Sequence, residues 1–178
     1  MPYSLKAMMA VGAAGAARVK LLLARKFGTL IDYEGNRKKQ REGVDLHISP
    51  WGDVEIKTDT HTGANFFLEY ECSGKPSGVM TSKANWYAYY FVKQGRIYMI
   101  PLNDLQKYLK ANWKWLTARF TKVVESKAGK ARWSAKGLAI PRDYICAAMN
   151  VVVYEDYDDR LWLVAGREPR KEVKDDGR

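Results

Sequence analysis

Apolar residues recur at helical spacing near the beginning of the chain. Between Ala7 and Phe27 they recur along one face of a helix, and Gly28 follows as a stop signal. This pattern predicts a helix with one buried face. The next stretch, 33–43, is charged and shows no apolar period, so it predicts an exposed basic loop.

Three segments with alternating apolar and polar residues follow this loop. Residues 44–48 and 53–59 both alternate, and the turn signal Pro-Trp-Gly at 50–52 separates them. The two segments therefore predict a β-hairpin. A third strand is predicted over 65–72, and the Gly-rich and Ser-rich loop 73–78 marks its end.

Predicted helices and a strand alternate after the third strand. Residues 81–92 begin with Thr-Ser, which is typical of a helix N-cap, and they predict a helix. A short apolar strand over 95–101 ends at a proline, and an amphipathic helix is predicted over 102–116. A basic segment and a mainly apolar stretch complete the sequence up to residue 165.

The order of these elements predicts an α/β fold with a central mixed β-sheet flanked by helices. A chain of 178 residues favours one domain, which we expect over 1–165. Its core would span about 19–101, and a basic segment would follow over about 106–142. Residues 166–178 are mostly charged and predict a flexible tail.

The two cysteines indicate the expected compartment. Cys72 and Cys146 lie far apart and belong to no CxxC or His-Cys cluster, so neither a zinc site nor a disulfide framework is predicted. We therefore expect a cytoplasmic protein.

The Ala-rich and Gly-rich run near the N-terminus resembles a signal peptide superficially, but its weak hydrophobicity favours a helix. We expect no association with a membrane.

The chain is strongly basic. Thirty Lys and Arg against twenty Asp and Glu give a formal charge of +10, which favours a polyanionic partner. Between residues 106 and 142, cations and tryptophans are interleaved with a single acidic residue, Glu125. This composition is typical of surfaces that bind DNA or, less preferred here, RNA, although solvated lysines around core tryptophans would share it. The cations expected to bind nucleic acid are Lys107, Lys110, Lys114, Arg119, Lys122, Lys130, Arg132 and Lys136.

Polar residues share one face of the predicted hairpin. Strand period two places Asp45, Glu55 and Lys57 on the face opposite Val54 and Ile56. Phosphodiester hydrolysis needs an activated water and charge neutralisation, which carboxylate-bound Mg²⁺ supplies and a nearby ammonium assists. The pattern therefore predicts a Mg²⁺-dependent nuclease with these three catalytic residues. The alternative is an ordinary hairpin with a solvated outer face.

Asp45 followed by Glu55-Ile56-Lys57 resembles the motif of the PD-(D/E)XK, or restriction-endonuclease-like, nuclease superfamily. The spacing is similar to that of phage junction-resolving enzymes. The resemblance implies that Asp45, Glu55 and the backbone carbonyl of Ile56 bind Mg²⁺ or Mn²⁺. It also implies that Lys57 positions or activates the attacking water. Pairing of two active sites in a homodimer is one arrangement that the resemblance implies.

Other polar residues extend the predicted site. Many members of the superfamily add an acidic residue from the first helix, but residues 4–27 contain none. Acidic residues outside the first helix are the candidates to take the place of this missing residue. The alternative for each of them is a supporting role or a solvated charge. The two histidines lack the remaining ligands of a zinc site and are interpreted as surface or hydrogen-bonded residues. The accessory candidates are Glu34, Asp59 and Glu69, and the histidines are His47 and His61.

We expect a DNA nuclease, and among nucleases a structure-selective endonuclease for junctions or branches is favoured. An exonuclease and a sequence-specific restriction enzyme stay open as alternatives. A non-catalytic nucleic-acid-binding protein on a nuclease-like fold is the first rival class. A protein whose charge serves a protein partner is the second.

Overall fold

The structure, a computed structural model, describes residues 5–128 and 131–169, with side chains for 9–125 and 133–169. Within these ranges the chain forms five α-helices and eleven β-strands. The helices are α1 (Leu5–Phe27), α2 (Arg37–Arg41), α3 (Leu102–Ala111), α4 (Trp113–Phe120) and α5 (Arg142–Ala148). The strands are β1 (Leu30–Asp32), β2 (Leu46–Ile48), β3 (Gly52–Asp59), β4 (Asn65–Cys72), β5 (Lys75–Pro76), β6 (Trp86–Phe91), β7 (Arg96–Pro101), β8 (Thr121–Ala128), β9 (Ala131–Pro141), β10 (Val152–Tyr157) and β11 (Arg160–Ala165).

The strands form two sheets. Seven strands make a large mixed sheet in the order β1-β2-β3-β6-β7-β10-β11, and four make an antiparallel sheet in the order β5-β4-β9-β8. In the large sheet β3 and β6 run parallel, and the other neighbours are antiparallel. The chain leaves the large sheet after β3, forms β4 and β5 in the small sheet, and returns as β6. The expected mixed α/β class with a central sheet flanked by helices is confirmed.

Helix α1 covers one face of the large sheet. Its residues Val19, Leu22 and Leu23 are fully buried and belong to one core cluster with Leu46 of β2 and Val54 of β3. Burial of each such side chain contributes roughly 1.5–3 kcal/mol relative to exposure. The amphipathic helix predicted near the N-terminus is therefore confirmed. It packs against the apolar face of the β2–β3 hairpin.

The opposite face of the large sheet packs against the small sheet and α3. Tyr87 and Tyr89 of β6 share a second core cluster with Phe66 of β4, Leu138 of β9 and Leu105 of α3. The molecule is thus layered as helix, large sheet and small sheet. This arrangement decides the environment of the hairpin's polar face, because that face points toward the small sheet.

The predicted helix over 81–92 is wrong, because residues 86–91 form the central strand β6. Tyr87 and Tyr89 enter one core cluster, while Ala88 and Tyr90 enter the other. A strand covered on both faces has apolar residues on both faces. The apolar run 86–91 therefore shows no alternation that would have predicted a strand. The Thr-Ser pair at its start does not cap a helix there.

Two smaller expectations also change. The loop predicted over 33–43 is exposed, but it contains α2, whose N-cap Asn36 accepts a hydrogen bond from the Lys39 amide at 3.2 Å. The helix predicted over 102–116 is divided at Asn112 into α3 and α4. The basic segment after α4 forms the β8–β9 hairpin, an element that the sequence pattern did not predict.

The beginning of the predicted tail contacts the folded chain. Arg167 donates its amide to Asn150 Oδ1 at 3.2 Å, and Tyr154 donates its hydroxyl to Glu168 at 2.6 Å. The remainder of that tail, 170–178, lies outside the described residues. Among the described helices, none combines the length and the apolar character that crossing a bilayer requires.

Candidate active site

The register of the β2–β3 hairpin brings the two predicted carboxylates together. Leu46 lies opposite Val54, and the Asp45 amide donates to the Val54 carbonyl at 2.9 Å. Continuing this register by one residue places Asp45 opposite Glu55. The predicted pairing of these two residues across neighbouring strands is therefore present.

The polar face of β3 is enclosed by the neighbouring strand and sheet. In the parallel β3–β6 ladder Glu55 lies beside Tyr87 and Lys57 lies beside Tyr89. Both tyrosines are about 1% exposed and belong to the core between the two sheets. The alternative interpretation, an ordinary hairpin with a solvated outer face, is therefore wrong for Glu55.

Burial dominates the electrostatics of Glu55. Its Oε2 atom is buried and has no hydrogen-bond partner in the described part of the chain. Burial raises the pKa of Glu55 from 4.5 to about 7, opposed by Ser82 and reinforced by the negative charge of Asp45. Lys57 lowers and Glu69 raises the same pKa by smaller amounts. These four neighbours define the surroundings of the carboxylate.

Asp45 is held by the strand that carries Glu55. The Ile56 amide donates to Asp45 Oδ2 at 2.7 Å, which fixes the carboxylate at the edge of β3. Burial raises the pKa of Asp45, while the Ile56 hydrogen bond and Lys20 of α1 lower it. The negative charge of Asp32 on β1 raises it. Two partly buried carboxylates, Asp45 and Glu55, therefore lie near each other, and burial raises the pKa of both.

Sequence reasoning missed Lys20 and Asp32 near this site. Lys20 Nζ lies 2.8 Å from Asp32 Oδ1 and 3.4 Å from Glu34 Oε2. The first helix thus contributes a cation near Asp45, where the resemblance implied an acidic residue. Glu34 itself is 82% exposed and contacts this lysine. No period in the sequence indicates this contact, because it joins a helix to a three-residue strand.

The accessory candidate Asp59 has its hydrogen bonds satisfied. It accepts from the Tyr89 hydroxyl at 2.8 Å and from the His61 amide at 2.7 Å, and it contacts His61 Nδ1 at 2.8 Å. A carboxylate with three such partners is a structural anchor. Glu69 accepts a hydrogen bond from the Ser77 hydroxyl at 2.6 Å, and its negative charge raises the pKa of Glu55.

Both histidines are hydrogen-bonded to an aspartate, as their interpretation expected. His47 Nδ1 lies 2.8 Å from Asp53 Oδ1, and Lys39 Nζ lies 2.7 Å from the other oxygen of Asp53. His61 contacts Asp59 and is 86% exposed. In neither case does a second histidine or a cysteine join the pair within the described ranges. The arrangement gives no zinc site.

The residues present fit Mg²⁺ better than a metal that needs many protein ligands. Among the described residues, no group of three or more His, Cys, Asp and Glu side chains is arranged to hold a metal ion. Mg²⁺ is commonly bound by only one or two carboxylates, with waters and substrate phosphates as further ligands. Asp45 and Glu55 are two such carboxylates, and the unpartnered Glu55 Oε2 is an oxygen atom of the hard type that Mg²⁺ prefers.

The predicted basic residues divide into exposed and paired groups. Lys110, Lys114, Arg119 and Lys122 have exposed side chains and form no salt bridge within the described residues. Two others are paired: Lys136 lies 2.8 Å from Glu71, and Lys107 lies 4.0 Å from Asp104. Lys130 and the side chain of Arg132 lie outside the described residues.

No protein-family model, curated protein or solved structure matches this chain.

The site combines the groups that phosphodiester hydrolysis uses. Asp45 and Glu55 lie opposite each other across the hairpin, and Lys57 follows Glu55 two positions further along β3. Lys57 forms no salt bridge or side-chain hydrogen bond in the described part of the chain, so its ammonium is available to a ligand. The two carboxylates could bind a cation, and the ammonium could donate to a water molecule or to a phosphate oxygen.

Proposed function

We propose that the chain is a metal-dependent nuclease that hydrolyses DNA phosphodiester bonds at Asp45, Glu55 and Lys57. The observation that carries this proposal is the buried Glu55 Oε2, which has no hydrogen-bond partner among the described residues. A buried carboxylate without a donor lowers the stability of the fold. Perturbed, uncompensated groups of this kind cluster at functional sites. The adjacent Asp45 and Lys57 make metal-assisted phosphate chemistry the best-supported role.

Mg²⁺ or Mn²⁺, when bound, would neutralise charge on the scissile phosphate and acidify a bound water. Asp45, Glu55 and the Ile56 carbonyl would hold the ion. The Ile56 amide already orients Asp45 by its 2.7 Å hydrogen bond. Lys57 donates to the attacking water or to a phosphate oxygen, because an ammonium has three N–H donors and no competing partner is present in the described part.

The arrangement of elements supports a restriction-endonuclease-like core over about 19–101. Helix α1 packs on a mixed sheet, one strand begins beside Asp45, and the next carries Glu55 and Lys57. One feature departs from the expected layout. The connection from β3 to β6 consists of strands of the small sheet, and β6 takes the place of the helix that the sequence predicted over 81–92.

A non-catalytic nucleic-acid-binding protein is the second candidate function. The exposed cations on α3, α4 and β8 would serve it equally well. Only cleavage separates the two functions.

The test combines purified protein with linear, supercoiled, single-stranded and four-way-junction DNA in Mg²⁺, Mn²⁺ or EDTA. Glu55→Gln and Lys57→Ala are compared with Glu155→Gln, a half-exposed carboxylate on β10 that pairs with Arg96. Metal-dependent cleavage that is lost in the two site variants and kept in the control supports the nuclease. DNA binding without cleavage under every condition would establish the non-catalytic function. Analytical ultracentrifugation of the same sample tests whether the chain forms the homodimer that the resemblance implies.

A further inference from the structure

Three aromatic side chains meet at the surface where α4 and α5 approach each other. The Trp115 ring lies 5.6 Å from Phe120 and 5.7 Å from Tyr144, and Phe120 lies 5.9 Å from Tyr144. Trp115 is 37% exposed and Tyr144 is 44% exposed. We call these three residues the aromatic platform. A contiguous apolar group that stays in contact with water is typical of an interaction surface.

The surroundings of the aromatic platform are basic. The Arg119 guanidinium lies 5.4 Å from the centre of the Trp115 ring, one helical turn further along α4. Lys114 and Lys122 are exposed nearby in sequence, and neither forms a salt bridge within the described residues. One acidic residue, Asp143, adjoins Tyr144 and is exposed. Three of these four charged residues are therefore positive and one is negative.

The two tryptophans of α4 have different environments. Trp113 packs against Tyr70 of β4, with 5.0 Å between ring centres, and joins the core between the sheets. Trp115 is 37% exposed, and the Arg119 guanidinium lies over its ring. The contact of Trp113 also links α4 to β4, the strand that carries Glu69 near Glu55. The aromatic platform therefore stands on a helix that packs against the same strand that carries Glu69.

We infer that the aromatic platform binds unpaired bases of single-stranded nucleic acid, an inference that rests on the proposed nuclease function. Aromatic rings stack on the faces of bases, and neighbouring cations contact the phosphates of the same strand. In an intact duplex those base faces are covered by their neighbours. The substrate class is accordingly DNA with a single-stranded segment, which the platform holds while the adjacent duplex or strand reaches the carboxylates.

Trp162 on β11 provides a matched control. It is 56% exposed, more than Trp115, and it has no aromatic or cationic partner among the described residues. If exposure alone produced affinity for bases, the two tryptophans would contribute alike. The inference requires that only Trp115 does so.

The experiment measures binding in EDTA by fluorescence anisotropy, so that cleavage does not contribute. The probes are a single-stranded oligodeoxynucleotide, an abasic strand of the same length, and a duplex. Trp115→Ala is expected to weaken binding of the base-containing strand by roughly tenfold, the scale of one stacked base. Binding of the abasic strand and the duplex is expected to stay unchanged. Trp115→Phe should restore most of the affinity, and Trp162→Ala should behave like the wild type.

An unchanged affinity of Trp115→Ala for the base-containing strand would overturn the inference. Equal losses for the base-containing and abasic strands would also overturn it, because stacking cannot act on a strand without bases. Circular dichroism of each variant confirms that the comparison involves folded protein. The result is independent of the nuclease assay, since a protein that binds unpaired bases without cleaving them would refute only the proposed function.

Discussion

Replacing Glu55 by glutamine should stabilise the protein above neutral pH while it abolishes cleavage. Gln has nearly the shape of Glu but carries no charge, so it removes the cost of an ionised carboxylate in the enclosed space between the sheets. The wild-type side chain has its Oε2 buried without a hydrogen-bond partner in the described structure. A residue that weakens the fold and is essential for activity is the expected signature of a functional site.

The magnitude follows from the pKa of Glu55, which burial raises from 4.5 to about 7. At about 1.36 kcal/mol for each pH unit, this difference corresponds to about 3 kcal/mol. The native state holds the proton more tightly than the unfolded state. Stability from this group is therefore fully present below pH 4.5 and is lost as the pH rises through about 7. The Glu55→Gln variant has no proton to lose at this position, so its stability does not fall for this reason as the pH rises.

The assay is urea denaturation in EDTA, followed by tryptophan fluorescence at about pH 5 and about pH 8. The free energy of unfolding of Glu55→Gln, relative to wild type, should increase by about 2.5 kcal/mol between these pH values, because part of the stabilisation is already lost at pH 5. For a chain of this size that corresponds to about 5–10 °C in the melting temperature. Glu155→Gln, at the half-exposed surface position, serves as the control and should follow the wild type. Parallel pH profiles for wild type and Glu55→Gln would refute the reasoning.

Three further outcomes are expected. Lys57→Ala should lower the cleavage rate about 100-fold or more while DNA affinity changes little, measured by steady-state kinetics and anisotropy. Tyr89→Phe should cost about 1–3 kcal/mol in urea denaturation, since it removes a 2.8 Å donor from the buried Asp59; an unchanged midpoint would contradict the assigned anchor. Lys114→Ala should reduce the salt dependence of DNA binding by about one counterion, whereas Lys136→Ala, whose ammonium pairs with Glu71 at 2.8 Å, should reduce it less. Equal slopes for the two lysine variants would exclude that distinction.

The sequence predicted the hairpin and its polar face because both depend on local periodicity. Alternation over 53–59 places Glu55 and Lys57 on one face of a strand wherever that strand lies in the fold. The turn between the two strands then brings Asp45 opposite Glu55 without any distant contact. The same locality explains why the first helix was predicted from its apolar spacing alone.

The rest of the site depends on contacts between segments far apart in the chain. The enclosure of Glu55 requires β6 beside β3 and the small sheet across from it, and neither pairing has a local signal. Strand β6 is apolar on both faces, so the pattern suggested a helix. The approach of Lys20 to Asp32 joins α1 to β1 and could be seen only once the chain was folded.

Two carboxylates on β3 show why Glu55, and not its neighbour, identifies the site. Asp59 is about 9% exposed, and the Tyr89 hydroxyl and the His61 amide donate to it. The fold thus provides donors for one carboxylate of this strand and none for the buried oxygen of Glu55 among the described residues. A hydrogen bond from Ser82 lowers the pKa of Glu55, but its buried Oε2 atom stays without a donor among the described residues. A ligand that supplies positive charge would stabilise Glu55 and leave Asp59 unaffected, which is the behaviour expected of a binding oxygen beside a structural one.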